Sequence, residues 1–147
     1  MSVSVDVARE GVTIAVSEDR VRDIVRLVCR REKISEALIS VAFITNARMA
    51  LMNRDFLGHR GATDVITFEL SGDGGSGRAR AIVGDIYIAP SVARTNAVAN
   101  GVGVRMELAR LVVHGTLHVL GYTHDEGADR MRGKMWRRQE EILAAIS

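Results

Sequence analysis

Three histidines, His114, His118 and His124, lie close together near the carboxyl end of this chain. Residues four apart lie on the same face of a helix, so His114 and His118 are spaced to bind one metal ion together. Gly121 favours a left-handed turn that would end this helix and bring His124 back as a third nitrogen ligand. Three protein ligands leave a fourth position open, which is typical of a catalytic metal site. The alternative is that the histidines serve only local hydrogen bonds and a loop.

The ligand set favours zinc, one ion per chain, although nickel, copper or iron could bind the same three imidazoles. Its spacing matches the metzincin pattern H-E-x-x-H-x-x-G-x-x-H at all three histidines and the glycine. The glutamate that acts as general base in those proteases is absent, because Gly115 occupies its position. We therefore do not expect peptide hydrolysis by that mechanism. We interpret Gly115 as leaving space beside the ion for a bulkier substrate, such as a nucleic-acid backbone.

Length and composition predict one globular domain spanning residues 1–147. The chain is 47% hydrophobic and 26% charged, which is ordinary for a domain of this size. Cys29 is the one cysteine and lies on the apolar stripe of a predicted helix, which indicates a core position in a reducing compartment. Neither a signal sequence nor an apolar segment of membrane-spanning length is evident, so we expect a cytoplasmic protein.

Mixed strand and helix patterns predict an α+β fold. The predicted strands are residues 13–16, 38–45, 64–70 and 83–89, with Val3, Val5 and Val7 as another strand or an extended lead-in. The predicted helices are residues 18–31, 46–55, 90–100, 104–120 and 128–147, the first two capped by Ser17 and Asn46. We expect one sheet of about four strands, mostly covered on one face by helices, with the histidine helix beneath it.

Two further segments complete the predicted domain. The glycine-rich residues 71–77 lack the Gly-Lys-Ser/Thr ending of a phosphate-binding loop, so we interpret them as a hairpin connection. In the last helix, Met131, Met135, Ile142 and Ile146 are spaced to face the core, and Trp136 is expected to pack with them. No internal repeat or linker divides the chain.

The basic residues are clustered, although the formal net charge of +2 is too small to indicate a nucleic-acid partner by itself. The two clusters are Arg48, Arg54, His59 and Arg60, and Arg130, Arg132, Lys134, Arg137 and Arg138. Each cluster taken alone is typical of a solvated surface. Beside a metal site, both clusters become candidate phosphate contacts.

The histidine run resembles the motif of a known family. Residues 113–124, Val-His-Gly-Thr-Leu-His-Val-Leu-Gly-Tyr-Thr-His, are similar to the run His-Gly-x-Leu-His-Leu-x-Gly-Tyr-Asp-His of the YbeY-type ribosomal RNA maturation factors. Upstream, residues 51–53 and 63–68 resemble the family's Leu-Asn and Thr-Asp-Val-Leu-Ser-Phe segments, and residues 84–86 resemble its Gly-Asp-Ile strand. The resemblance extends from about residue 38 to the carboxyl end.

This resemblance implies a cytoplasmic, zinc-dependent endoribonuclease with a zincin-like fold and a preference for single-stranded RNA. It implies a role in maturation of the 3' end of 16S ribosomal RNA and in ribosome quality control. The implied partners are ribosomal RNA and the small ribosomal subunit, with neither DNA nor a membrane expected. Carried over from the family motif, His114, His118 and His124 are the implied zinc ligands.

Two positions depart from the family pattern. Thr123 replaces an aspartate before the third histidine, which removes a hydrogen-bond acceptor near the metal. Leu57 occupies the position of an arginine implicated in activity, so positive charge beside the reacting phosphate must come from elsewhere. We hypothesise that His59 or Arg60 supplies this contact as a catalytic-site residue. The alternative is an exposed loop without that role.

Other functions stay open at this point. The protein could be a non-catalytic, zinc-stabilised ribosome assembly factor, a view that the missing arginine favours. It could also be a metal hydrolase of another bond, such as a peptide bond. Asp64 and Asp85, which begin two strand patterns, are expected to hold loops by accepting backbone hydrogen bonds rather than to act in catalysis.

Overall fold

A four-stranded mixed sheet forms the centre of the fold. The structure, a computed structural model, describes residues 2–71, 81–122 and 128–146, with side chains in the last range from residue 133 onward. The strands are β1 (Ser2–Arg9), β2 (Glu36–Phe43), β3 (Val65–Glu69) and β4 (Ile82–Ile88). The helices in these ranges are α1 (Glu18–Arg31), α2 (Asn46–Leu57), α3 (Pro90–Asn100), α4 (Val104–Val119) and α5 (Ala128–Ile146). The predicted α+β class with a sheet of about four strands is confirmed.

The sheet has the order β1-β2-β4-β3. The first three strands in this order are parallel, while β3 runs antiparallel to β4, with Val65 opposite Ile88 and Glu69 opposite Gly84. The ladder continues beyond β3, because the Leu70 amide donates to the Val83 carbonyl at 2.8 Å. Antiparallel neighbours joined in sequence form a hairpin, in agreement with the predicted connection. Residues 72–77 of the glycine-rich segment lie outside the described residues.

The first strand differs from the sequence prediction. Residues 13–16 form no strand. The opening valines instead form β1, which pairs with β2 along its whole length from Ser2 opposite Glu36 to Arg9 opposite Phe43. Ile14 and Val16 pack against the main core from outside the sheet. Their weak alternation therefore reflects burial of apolar side chains without ladder hydrogen bonds.

The helix caps follow local side-chain chemistry. Ser17 accepts a hydrogen bond from the Arg20 amide at 3.0 Å and begins α1, as predicted. The prediction that Asn46 caps α2 is wrong, because Thr45 accepts from the Arg48 amide at 3.2 Å and Asn46 is the first helical residue. Both residue types are good caps, and the extended backbone of Thr45 places its hydroxyl at the helix start.

Helices cover the two faces of the sheet unequally. The main core lies between the sheet and helices α1, α4 and α5, and includes the fully buried Phe43, Ile86 and Leu117. A smaller cluster on the other face packs Met49 and Met52 of α2 against the sheet. Among the described residues, no helix is both long enough and apolar enough to span a membrane. The histidine helix α4 contacts α1, α3, α5 and the sheet, so it is the central helix of the larger layer.

Close approach of α4 to the sheet depends on two glycines. A Cβ atom added at Gly115 would lie 2.8 Å from Cγ2 of Ile86, and one added at Gly84 would lie 2.3 Å from Cγ1 of Val119. These distances are too short for packed carbon atoms. The interpretation that Gly115 leaves space beside a metal ion is therefore wrong, because this position faces the sheet and is filled by Ile86.

The burial of Cys29 and Trp136 can be compared with their predicted core positions. Cys29 is fully buried, as expected, and burial raises the pKa of its thiol to about 11. Trp136 is 53% exposed, so the prediction that it packs in the core is wrong. Its neighbour Met135 is buried. Because adjacent helical residues point about 100° apart, Trp136 lies at the edge of the buried face of α5.

Candidate metal centre

His114 and His118 lie one turn apart on the same face of α4, near its carboxyl end. Their ring centroids are 4.8 Å apart with an interplanar angle of 71°. Both residues are half-buried, while their helical neighbours Gly115, Thr116 and Leu117 are buried. The i, i+4 spacing thus places two imidazoles side by side at the surface of an otherwise buried helix.

The chain turns after α4 in the manner that the sequence predicts. Gly121 has a φ of +117°, a backbone conformation that side chains rarely adopt. Its amide donates to the His118 carbonyl at 3.0 Å, and the Tyr122 amide donates to the Leu117 carbonyl at 3.0 Å. The predicted third ligand, His124, lies outside the described residues. Within the described ranges, no group of three potential metal ligands is found.

Gln139 of α5 orients the His114 ring. Its Oε1 atom lies 2.7 Å from Nδ1 of His114, and its Nε2 atom donates to Oε2 of Glu140 at 3.1 Å. Because a carboxylate can only accept, the amide nitrogen must face Glu140 and the amide oxygen must face His114. Nδ1 of His114 therefore carries the proton, and Nε2 is the nitrogen that would bind a metal ion. This arrangement fits the orientation that metal-binding histidines need.

Two partly buried ion pairs of Arg110, with Glu140 and with Glu107, continue the support for Gln139. Arg110 donates to both oxygens of Glu140 at 3.1 and 3.3 Å, and to Glu107 at 3.2 Å. Hydrogen bonding to Glu140 is the main cause of the raised pKa of Arg110. Burial is the largest single influence on Glu140 and acts to raise its pKa, but hydrogen bonds from Arg110 and Gln139 together lower it. The Glu140 carboxylate is therefore held ionised as the acceptor for Gln139.

A cleft of about 240 Å³ opens beside His114 between α4, α5 and the start of β3. It is lined by Asp64, Val65, Glu107, Arg110, Leu111, His114, Met135, Trp136 and Gln139. The cleft thus combines an apolar wall, the Arg110–Glu107 ion pair, the Asp64 carboxylate and the predicted metal ligand His114.

Asp64 reaches this cleft at the end of the loop that follows α2. Its Oδ2 atom accepts from Nδ2 of Asn96 at 3.3 Å, and its backbone carbonyl accepts from the Ala89 amide at 2.9 Å. The prediction that the Asp64 carboxylate accepts backbone hydrogen bonds is thus replaced by a side-chain contact to α3. Asp85 lies within β4 rather than at its start.

His59 and Arg60, the predicted phosphate contacts, are exposed in the loop after α2. The loop is held by Nδ2 of Asn53, which donates to the Gly61 carbonyl at 2.8 Å, and by the His59 amide, which donates to the Asn53 carbonyl at 3.1 Å. Neither side chain is among the described residues that line the cleft. Leu57, at the position of the family arginine, is 49% exposed at the end of α2.

Several other basic residues are engaged in ion pairs. Arg48 pairs with Glu10 at 2.9 Å and Arg54 with Asp55 at 2.9 Å, while Arg138 pairs with Glu32. Their positive charge is thus partly matched within the protein, which weakens them as phosphate contacts. The side chains at positions 130 and 132 lie outside those that the structure describes.

Sequence reasoning missed the residues that surround His114. Gln139 and Glu140 are 25 and 26 positions away along the chain, and no local pattern links them to the histidine run. A weak signal was present, because Gln139 falls between Met135 and Ile142 on the apolar stripe of α5. A polar residue in such a stripe is expected to have a buried hydrogen-bond partner.

Together these features define a single-domain α+β protein whose central helix carries a histidine pair, one of them oriented from a neighbouring helix. The family model of Endoribonuclease YbeY matches residues 5–147. The chain belongs to the Endoribonuclease YbeY family. The resemblance seen in the sequence is thereby confirmed, and with it the expectation of an enzyme of the endoribonuclease class.

Individual relatives match over most of their length. The chain is 34% identical to Endoribonuclease YbeY of Geobacillus kaustophilus, over 98% of this chain and 96% of the relative. It is 37% identical to Endoribonuclease YbeY of Desulfitobacterium hafniense, over 76% of this chain and 73% of the relative. The solution structure of TM1509 from Thermotoga maritima has a similar fold, with a TM-score of 0.65 at 20% identity, covering 97% of this chain and 88% of that one.

Proposed function

We propose that this protein is a zinc-dependent endoribonuclease that cleaves single-stranded RNA during maturation of the 3' end of 16S ribosomal RNA. Its proposed partners are ribosomal RNA and the small ribosomal subunit, in the cytoplasm, where it would also serve ribosome quality control. The observation that carries the proposal is the adjacent pair His114 and His118, with the ring of His114 fixed by Gln139 at 2.7 Å. Membership of the Endoribonuclease YbeY family supports RNA as the substrate.

The proposed metal ligands are His114, His118 and His124. A zinc ion bound by these three residues would supply Lewis-acid chemistry for phosphodiester cleavage and would acidify a water molecule. The chain contributes orientation, because Gln139 accepts the Nδ1 proton of His114 and so presents Nε2. The cleft beside His114 contributes a partly buried surface against which the RNA strand can be held.

Positive charge for the phosphate is proposed to come from the exposed loop after α2. Leu57 cannot supply it, since its side chain is apolar. Arg48 and Arg54 are matched by acidic partners, whereas no ion pair is found for His59 or Arg60 within the described residues. We therefore retain His59 and Arg60 as the proposed phosphate contacts.

Packing around Gly115 argues against the peptidase alternative. A general base at this position would need a side chain where Cγ2 of Ile86 already lies 2.8 Å from the position of a Cβ atom. Ile86 is fully buried and cannot move aside into solvent. The non-catalytic assembly factor differs from the nuclease in one measurable respect, since it predicts RNA binding without cleavage.

The test is cleavage of a labelled single-stranded fragment from the 3' end of 16S ribosomal RNA by protein of measured zinc content. The unmodified chain is compared with His114→Ala and with Val98→Ala, an exposed α3 residue outside the lining of the cleft. We expect about one zinc per chain and cleavage in the unmodified protein and Val98→Ala, with both lost in folded His114→Ala. Zinc and RNA binding without any cleavage would contradict the nuclease and support the assembly factor.

A further inference from the structure

Trp136 is placed where a solvent-facing side chain can contact a ligand beside the proposed metal site. It lines the same cleft as His114 and Gln139 and is 53% exposed. Met135, which precedes it in α5, is 2% exposed and lines the same cleft. A tryptophan with about half of its surface exposed leaves an apolar area that a ligand could cover.

The chemistry of the cleft favours a flat neutral group over a phosphate. Among its described lining residues the cation is Arg110, and its donors are directed to Glu140 and Glu107. Asp64 and Glu107 add carboxylates, which repel a phosphate but accept hydrogen bonds from N–H groups. Val65 and Leu111 supply apolar surface.

The size of the cleft agrees with one ring system. Its volume of about 240 Å³ is below the range of about 300–1,000 Å³ that is usual for whole drug-sized ligands. An aromatic platform, an apolar wall and hydrogen-bond acceptors are the features with which proteins bind the bases of a single strand.

We propose that Trp136 stacks on one nucleobase of the RNA strand and so positions the neighbouring phosphodiester at the metal site. This inference rests on the proposed function and extends it, because it names how a single strand is held. A base in a duplex is stacked on its neighbours and cannot be covered by the indole. The Trp136 cleft thus provides a physical reason for a preference for single-stranded RNA.

Intrinsic fluorescence tests the proposal directly, because Trp136 is the one tryptophan in the chain. The zinc-loaded protein is titrated with a short single-stranded oligoribonucleotide and with an abasic oligomer of the same length and charge. We expect the base-containing oligomer to quench the tryptophan emission and the abasic oligomer to leave it unchanged. Equal responses to both oligomers, or no response to either, would overturn the stacking contact.

Two substitutions at the same position supply the matched kinetic comparison. Trp136→Phe keeps an aromatic ring, whereas Trp136→Leu keeps only apolar volume. We expect Trp136→Leu to raise KM for single-stranded RNA about tenfold and Trp136→Phe to stay within about threefold of the unmodified chain. Both variants should fold and retain zinc, since the side chain is largely exposed. Equal KM values for all three proteins would contradict the proposal.

The two proposals fail in different ways. Cleavage by the unmodified protein without base-dependent quenching would leave the nuclease standing and refute the role of Trp136. Base-dependent quenching without cleavage would support the base site and refute the nuclease. Absence of both would refute both proposals.

Discussion

Nδ1 of His114 lies 2.7 Å from Oε1 of Gln139, and this contact joins the two helices that flank the candidate site. The partner is 25 residues away in sequence and 3% exposed. Glu140 and Arg110 continue the chain of hydrogen bonds behind it. The orientation of a predicted metal ligand is thus set by the packing of α5 on α4, and not by the histidine run itself.

Replacing Gln139 should weaken zinc binding without removing a ligand. In Gln139→Leu, the Nδ1 proton of His114 loses its acceptor, and the ring is no longer held in one orientation. We expect the zinc dissociation constant to rise about 10- to 100-fold. Competition with a chromophoric chelator measures this change.

Gln139→Glu is the matched control, because its carboxylate can still accept from Nδ1 of His114. We expect it to bind zinc more tightly than Gln139→Leu. Some loss of stability is expected in Gln139→Glu, since Glu140 loses an amide donor and gains a negative neighbour. Equal zinc affinities in the unmodified chain and a folded Gln139→Leu variant would show that Gln139 has no positioning role.

Gly115→Ala should destabilise the fold through contact with the sheet. The added Cβ atom would lie 2.8 Å from Cγ2 of the fully buried Ile86. Overpacking of this kind costs about 1–3 kcal/mol, of which the better helix propensity of alanine returns about 1 kcal/mol. We expect a lower free energy of unfolding in urea, and a larger loss in Gly115→Glu.

Gly133→Ala is the control for this substitution. Gly133 lies within α5, and in the part of the chain that the structure describes nothing lies within 4 Å of a Cβ atom built there. Alanine should therefore stabilise the protein by about 0.5–1 kcal/mol through helix propensity alone. If both glycine variants changed the free energy of unfolding in the same direction, the close packing of Gly115 on Ile86 would not determine the stability of Gly115→Ala.

Local side-chain chemistry predicted the helices well. Pro90 begins α3 and Gly101, with a φ of +67°, ends it, as the sequence indicates. Ser17 begins α1 by accepting a hydrogen bond from the amide of Arg20, three positions further along the chain. Such signals depend on neighbouring residues, so they can be recognised without knowledge of the tertiary structure.

The wrong predictions concern positions whose structure depends on residues that are distant in the sequence. The strand predicted at residues 13–16 has an apolar alternation but no partner, because β2 pairs with the opening strand β1. The exposure of Trp136 and the burial of Gln139 depend on how α5 crosses α4. The role of Gly115 likewise depends on the approach of Ile86. The histidine pair was predictable from helical spacing, but its surroundings were not.

Cys29 should be unreactive in the folded protein. Burial raises the pKa of its thiol from the ordinary value of 9.0 to about 11. Iodoacetamide at pH 8 should therefore label Cys29 in urea and leave it unlabelled in the native state, since the thiolate is the nucleophile. Mass spectrometry measures the label, and native labelling at the rate of the unfolded chain would contradict the buried position.

The raised pKa of Cys29 also predicts how the free energy of unfolding changes with pH. The protonated thiol is favoured in the folded state, so this contribution is present below pH 9 and is lost as the pH rises from about 9 to about 11. Cys29→Ala removes the titrating group and should have a shallower fall in unfolding free energy over that interval. An identical pH dependence in both proteins would contradict this assignment.

The exposed loop after α2 gives a prediction about salt dependence. If Arg60 contacts a phosphate, Arg60→Ala should weaken binding of single-stranded RNA and reduce the slope of log K against log salt concentration by about 0.7, the value for one phosphate on a single strand. His59→Ala is expected to lower the cleavage rate in the same assay, since it removes the other proposed phosphate contact. Arg48→Ala is the matched control, since Arg48 is already paired with Glu10 at 2.9 Å. If Arg60→Ala and His59→Ala each leave the slope and the cleavage rate as unchanged as Arg48→Ala does, the phosphate contact must come from a residue outside this loop.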